Sequence, residues 1–408
     1  MSDTTSARGA AAGLTLSKRV SALEGSPTLA LAAKAKALLA EGRDVVNMAV
    51  GEPDFDSPVA AQDAVRAALD AGGIKYTPAA GTLALRETIS GWLRAERGVD
   101  AFGPDGVVVC HSAKHALSHS LLALVEEGDE VLLLPPVWAS YDAMVEIAGA
   151  RPVHVQPRPG GECRPDLAAI RAAIGPRTRG IMLNTPSNPS GYVWTKDELD
   201  ELCSIVLEHE GLWLLSDEIY GRLVFEGAAH HSPAAHSPEM AARTLLVDGA
   251  SKVFAMTGYR IGFVAAPAPV AKKIADLQSQ VSGCPNYLSQ VAYRACLETE
   301  PPEAGAMLDE FDARRRIVIE GLRALGLTCP EPRGAFYAFP DVSRYLDERG
   351  AAGFCADLLE QEEVVLVPGD VFGAPDHVRM SYAVSRERLG AALERLGRFL
   401  TERGERTG

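Results

Sequence analysis

The chain has 408 residues, 47% hydrophobic and 23% charged, an ordinary globular composition with mass for two or three packed units. Lys and Arg number 40 against 54 Asp and Glu, and the formal charge of −14 argues against nucleic acid or anionic membrane surfaces as partners. No apolar stretch approaches the ~20 residues of a bilayer span.

Residues 1–13 are small and polar and read as a loose tail, without the hydrophobic run of a signal peptide. Cys110, Cys163, Cys203, Cys284, Cys296, Cys329 and Cys355 are scattered, odd in number and free of any Cys-x-x-Cys spacing, which suits reduced thiols in a cytoplasmic protein.

Along the chain, 31–40 reads as an N-terminal helix. Strands are predicted at 107–109, 130–134, 152–155, 180–183, 212–215, 245–247 and 262–265, with amphipathic helices at 114–126, 166–173, 196–208 and 270–281 among them. This alternation is that of a mostly parallel α/β sheet flanked by helices. Beyond about 300 the character changes to a long charged helix over 303–325, short strands at 335–339, 364–367 and 378–382, and a last helix at 386–403. The expected organisation is a tail at 1–13, a large α/β domain at 54–300 that binds a cofactor, and a smaller α+β domain at 301–408 joined by 14–53.

The chemistry-bearing residues fall just past strand ends, where open α/β sheets bind ligands. In Cys110-His-Ser-Ala-Lys114 a strand turns into a helix whose first N–H groups, at Ser112, Ala113 and Lys114, suit a phosphate; Ser112 is equally explained as a plain helix cap. Trp138 follows the next strand and suits either stacking on a flat ring or a place in the core. Asn188 sits in a loop stiffened by Pro186 and Pro189, able to offer its amide to a phenolate or to serve an ordinary turn.

Asp217 ends an apolar strand, where a carboxylate needs a partner such as a protonated pyridine nitrogen, and Tyr220 follows three residues later. Ser-Asp-Glu also reads as a helix cap, which leaves Tyr220 without a role. In Asp248-Gly-Ala-Ser-Lys-Val-Phe-Ala-Met-Thr-Gly-Tyr-Arg260, Lys252 past a strand, with Ser251 beside it and Arg260 nearby, suits an aldehyde cofactor carrying a phosphate; a solvated loop lysine is the plain alternative. His111, His115 and His119 recur at helical spacing and raise a metal site, but no carboxylate or cysteine shares their face. No metal is expected.

From about Leu16 to Leu400 the chain resembles the fold type I, pyridoxal-phosphate (PLP)-dependent class I aminotransferases, most closely the prokaryotic aspartate aminotransferase subgroup I-beta. The resemblance is carried by Val50-Gly-Glu-Pro-Asp-Phe-Asp-Ser-Pro58, Lys75-Tyr-Thr-Pro-Ala-Ala-Gly81, Ser187-Asn-Pro-Ser-Gly191, Ser216-Asp-Glu-Ile-Tyr220, Ala255-Met-Thr-Gly-Tyr-Arg-Ile-Gly262 and Val378-Arg-Met-Ser-Tyr382. It implies the PLP-dependent transferase fold and a set of roles. Lys252 is then the Schiff-base lysine and proton shuttle, Asp217 the partner of the pyridinium nitrogen, and Asn188 and Tyr220 the holders of the ring hydroxyl. Trp138 stacks on the ring, and Ser112, Ala113, Lys114, Ser251 and Arg260 surround the phosphate.

The resemblance also implies that Tyr76 reaches the phosphate of a neighbouring subunit's cofactor, which makes the active unit a homodimer with shared sites. Arg379 clamps the substrate α-carboxylate beside the Gly51 backbone, with Trp138 and Asn188 also at the substrate. Lys114 matches a lysine that contacts the distal carboxylate of acidic substrates, so an aspartate- or glutamate-type donor and a 2-oxo acid acceptor are expected. Ser112-Ala-Lys-His115 departs from the family's Gly-Gly-Lys-Gln, Ser282-Gly-Cys-Pro-Asn286 from its Thr/Ser-rich segment, and Tyr259 stands where tryptophan is frequent. Those departures keep two further readings open: elimination, cyclisation or oxidation on the same cofactor, and a catalytically silent PLP-binding regulator.

Overall fold

The computed structural model describes residues 10–11, 14–21, 23, 25, 27–160, 162–225 and 227–407. Of the tail expected over 1–13, only Ala10–Ala11 falls among them, paired antiparallel with Leu14–Thr15; the rest lies outside the described residues.

The elements run in order α1 (Pro27–Ala40), β1 (Val46–Asn47), α2 (Val59–Ala71), α3 (Leu83–Arg97), β2 (Val107–Cys110), α4 (Ala113–Leu124), β3 (Glu130–Leu133), α5 (Ser140–Ala148) and β4 (Arg151–His154). Then come α6 (Leu167–Ala173), β5 (Thr178–Asn184), α7 (Lys196–Glu208), β6 (Trp213–Asp217), β7 (Thr244–Gly249), β8 (Gly262–Ala265), α8 (Ala268–Val281), α9 (Tyr287–Thr299) and α10 (Pro302–Ala324). The chain closes with β9 (Tyr337–Ala338), α11 (Gly350–Glu362), β10 (Val364–Val365), β11 (Val367–Pro368), β12 (Val378–Ser381) and α12 (Arg386–Thr407).

Seven strands form one sheet in the order β2-β8-β7-β6-β5-β3-β4. The run from β7 to β4 is parallel, and β8 alone is antiparallel to both its neighbours. The inner strands are apolar throughout because both faces are covered, and the pleat sends successive residues to different cores. Val108 and Cys110 face the core that holds Leu117 and Leu121 of α4, while Val107 and Val109 face Leu85, Ile89 and Leu93 of α3. Further along the sheet, Leu132, Ile181 and Leu183 pack on Leu199 and Leu202 of α7. That helix is started by a capping box between Thr195 and Glu198.

The C-terminal strands make a second, three-stranded sheet, β9-β12-β11, all antiparallel. The single strand expected over 364–367 is two pieces with different partners. β10 pairs parallel with β1, and β11 pairs with β12, so the ladder changes hands at Leu366. The strand expected over 335–339 is reduced to two residues, since Ala335 takes a positive φ of 58° and bends the chain. Helices α2, α3, α5, α9 and α11 were not singled out in the sequence. In α3 the buried set Leu85, Ile89, Trp92 and Leu93 is a regular helical stripe, but α2 buries only Ala61 and offers little pattern to read.

The N-terminal segment is tied to the C-terminal part beyond the β1–β10 pairing, because Asp44 accepts ion pairs from both Arg388 and Arg395 of α12. All seven cysteines are free, and among the described residues no helix is long and apolar enough to cross a membrane.

Candidate active site

β3, β5, β6 and β7 end at one edge of the sheet; β2, which runs in their direction, ends there too and brings Ser112, and the reversed β8 starts there and brings Arg260. The loops there enclose a cavity of about 690 Å³, within the range of small-molecule sites. Gly51, Ser112, Ala113, Lys114, Trp138, Asn188, Asp217, Tyr220, Ser251, Lys252, Arg260 and Arg379 all line it. Tyr76 does not: it lies outside the lining and is 98% exposed.

Lys252 sits in a single helical turn, Ala250–Val253, after β7. Its Nζ donates to the Gly51 carbonyl at 2.5 Å. Loss of water is the largest influence on the amine and pulls it down to about 8; Arg379 and Arg260 push the same way, against Glu52 and Asp217. Part of the amine is therefore neutral near neutral pH, as a proton-transfer group requires.

Asp217 is buried and, among the described residues, forms no ion pair. Tyr141 Oη donates to its Oδ2 at 2.7 Å and the Ile219 N–H to its Oδ1 at 3.3 Å. Burial nonetheless raises the carboxyl to about 6, with the Tyr141 bond acting against the rise. Tyr220 exchanges a hydrogen bond with Tyr337, hydroxyl to hydroxyl at 2.9 Å.

Arg379, 3% exposed, donates from Nη1 to Asn188 Oδ1 at 2.9 Å and from Nη2 to the Ala49 carbonyl at 2.7 Å. Its Nε has no hydrogen-bond partner among the described residues. Each terminal nitrogen keeps a second hydrogen, so the fork retains donors for an incoming carboxylate. The same bond fixes Asn188, because only its oxygen can accept from arginine; its amide NH₂ is left to donate elsewhere. Lys114 Nζ rests 4.6 Å above the Trp138 ring and donates to Ser140 Oγ at 3.3 Å. Burial, and secondarily Arg260, lower its pKa.

The turn before α4 serves two purposes at once. Ser112 caps the helix by accepting from the His115 N–H, and it also lines the cavity. Gly262 makes that turn possible: a Cβ there would meet the Ala113 nitrogen at 2.5 Å and the Ser112 carbonyl carbon at 2.8 Å. This close approach of strand to helix start forms a cradle of N–H groups, with Ser251 and Arg260 beside it. The donor set, the buried acceptor at Asp217 and the desolvated amine fit a phosphorylated pyridine aldehyde.

Residues the sequence reading missed also line the cavity: Tyr141, Tyr337, Asn184, Glu52 and Thr257. Asn184 donates to the Asp217 carbonyl and accepts from the Asn188 N–H, and Thr257 donates to Glu52. A trace of Tyr141 was present in its spacing three residues after Trp138; nothing local marked Tyr337. Among the described residues no group of three His, Cys, Asp or Glu is placed to hold a metal. The His115 ring lies 5.0 Å from His111 and 3.8 Å from His119.

Residues 43–396 match the family described as aminotransferase class I and II. The chain belongs to that family. It is 41% identical over 392 residues to the aspartate aminotransferase of Geobacillus stearothermophilus, covering 95% of this chain and 99% of the relative. It is 40% identical to the aspartate/prephenate aminotransferase of Thermus thermophilus, over 94% of this chain and 98% of that one. Among solved structures, the Thermus thermophilus aspartate aminotransferase with maleate superposes at a TM-score of 0.91 and 40% identity, covering 95% of this chain and all of that one. Members of this family are PLP-dependent, and the chain is an aminotransferase.

Removing the Tyr141 hydroxyl is expected to raise Asp217 above its value of about 6. A carboxyl raised from its ordinary value destabilises the fold as pH climbs through the interval between the unfolded and folded values. In Tyr141→Phe that loss should extend to higher pH. A series of thermal melts on cofactor-free protein should show the variant falling further below wild type between about pH 6 and 7.5 than at pH 5; parallel curves would separate Tyr141 from the acidity of Asp217.

Proposed function

We propose that the chain transfers the amino group of an acidic, aspartate- or glutamate-type amino acid to a 2-oxo acid by a ping-pong cycle on PLP. The observation that carries this reading is the Lys252 amine, desolvated to about 8 in a cavity that also holds Asp217 and Arg379. PLP would be held by Lys252 at its aldehyde, Asp217 at its ring nitrogen, Asn188 and Tyr220 at its ring hydroxyl and Trp138 on its face. Ser112, Ala113, Lys114, Ser251 and Arg260 would hold its phosphate.

When bound, PLP supplies the electron sink that acidifies the substrate Cα–H. Arg379 orients the α-carboxylate, with the Gly51 backbone beside it. Asp217, ionised against the ring nitrogen, keeps that nitrogen protonated. Lys252, neutral in a cationic surrounding, moves the Cα proton. Trp138 and Asn188 border the bound amino acid, and Lys114 meets the distal carboxylate of an acidic one. In this reading 54–300 forms the cofactor-holding domain and 301–408 with 14–53 the smaller one, and the enzyme works in the cytoplasm, in keeping with its seven free thiols.

With ¹⁵N-labelled aspartate and 2-oxoglutarate, label should pass to glutamate, and Lys252→Ala should abolish the transfer while the protein stays folded. Label released as ammonia, or transfer retained in Lys252→Ala, would overturn the assignment.

Lys114→Ala should lower kcat/KM for aspartate and glutamate more than for phenylalanine or leucine, by about 1–3 kcal/mol, the range for one charge-assisted hydrogen bond. Equal losses across donors would confine Lys114 to the cofactor phosphate.

Tyr76, exposed and outside its own cavity, supports a homodimer with shared sites in which this side chain serves the partner's phosphate. Mixed dimers of a Tyr76→Phe subunit with a Lys252→Ala subunit should then regain activity over either homodimer, because one site receives an intact tyrosine and an intact lysine. Absence of recovery would mean a site built within one chain.

A further inference from the structure

Two of the segments in which the chain departs from its relatives' pattern touch each other. Ser282 Oγ lies 3.1 Å from His115 Nε2, which links the first turn of α4 to the 282–286 segment. His115 is the middle of three neighbouring imidazoles, His111 just before α4 and His115 and His119 one turn apart on it, with ring centroids 5.0 Å and 3.8 Å apart. His119 is 3% exposed and neither of its ring nitrogens has a hydrogen-bond partner among the described residues; His111 Nε2 and His115 Nδ1 lack one too.

The link continues beyond Ser282. The Thr77 N–H donates to Cys284 Sγ at 3.3 Å, and Gln290 Nε2 donates to both Thr77 Oγ1 and the Pro285 carbonyl. Tyr76 stands next in the chain. One line of contacts therefore joins Ser112–Lys114 to the loop that presents Tyr76.

Among the described residues no carboxylate pairs with any of the three imidazoles. The elements packed on α4 are α5, α8 and the strands β2, β6, β7 and β8. Lys272 and Lys273 of α8 pair with Asp276, Asp142 of α5 with His154, Asp248 of β7 with Arg97, and Asp217 of β6 is bound by Tyr141. Cys110 of β2 is a buried thiol and Lys114 rests on Trp138. Burial is the largest influence on each imidazole and lowers all three, His115 to about 4; the backbone of Ser282 acts against the fall at His111 and that of His115 at His119, while the charges of neighbouring imidazoles add to it at His115 and His119.

We propose that His111, His115 and His119 form an acid-sensitive latch on cofactor retention. Neutral, the column lets His115 hold Ser282 and so brace Ser112–Lys114 and the Tyr76 loop together; proton uptake drives the stacked rings apart and releases the brace. The proposal rests on the reading that Ser112–Lys114 hold the phosphate of PLP. The sign follows from linkage: a base depressed in the folded state is charged more readily once its surroundings open, so the brace is intact above about pH 6.5 and lost as pH falls toward the folded value.

The test uses holoenzyme of wild type and of His115→Gln/His119→Asn, which keeps polar side chains that do not titrate. Each is incubated across about pH 5 to 8 and free PLP is measured in a filtrate. Retention should be equal at about pH 8, and at about pH 5 wild type should release about threefold more than the variant, the effect of half a unit in midpoint. Asp217 and Lys252 titrate in both proteins, so only the difference reports the column. Coincident release curves would overturn the latch and leave the aminotransferase reading standing; wild-type holoenzyme that holds no PLP at about pH 8 would overturn the cofactor reading itself. His115→Gln alone, with circular dichroism to confirm its fold, should fall between the two and decides the matter if the double variant does not fold.

Discussion

Withdrawing Lys252, Asp217 and Arg379 from water around one cavity is the constraint on which the rest of the structure turns. Each loses solvation that a lone charge cannot afford to lose in an apolar interior. The fold meets this with mutual fields and with polar anchors. The two arginines push protons off Lys252 while Asp217 and Glu52 draw them back, and the amine settles at a value suited to moving protons. Take away the cavity's dryness and the lysine becomes an ordinary cation.

The anchors come from places far apart in the chain, which is why the site needs the whole fold. Arg379 of β12 reaches the Ala49 carbonyl and the Asn188 side chain. Tyr220, after β6, meets Tyr337 of β9; Tyr141 of α5 meets Asp217 of β6. None of these pairs belongs to one element. Glycine governs the closest approaches. Besides Gly262 beneath the turn before α4, Gly51 leaves room for the Tyr337 hydroxyl, which a Cβ there would meet at 2.7 Å.

How much of this was readable depends on how local the cause is. The strands of the large sheet were legible because a strand buried on both faces must be apolar end to end, and the residues with chemistry stand just beyond those ends. Asp217 advertised itself by following Leu214 and Leu215; Lys252 by following Leu245–Val247. Tyr141 and Tyr337 did not, because a tyrosine in an apolar run is ordinary until its hydroxyl finds a partner that the sequence places 76 or 117 residues away. The division at Leu366 was hidden for the same reason, since two partners share what reads as one run. Ser112 shows the opposite case. The capping reading and the ligand reading competed in the sequence, and the structure satisfies the capping geometry at the cavity wall itself.

Lys114 lies against the face of Trp138, so a cation sits within the field of an indole that borders the cavity. The excited state of an indole redistributes charge across its ring, and a nearby charge shifts the energy of the light it emits. A carboxylate that draws the ammonium toward itself would change that field without touching the tryptophan. The protein thus carries, at the wall of its cavity, an indole whose emission would respond to any movement of that ammonium.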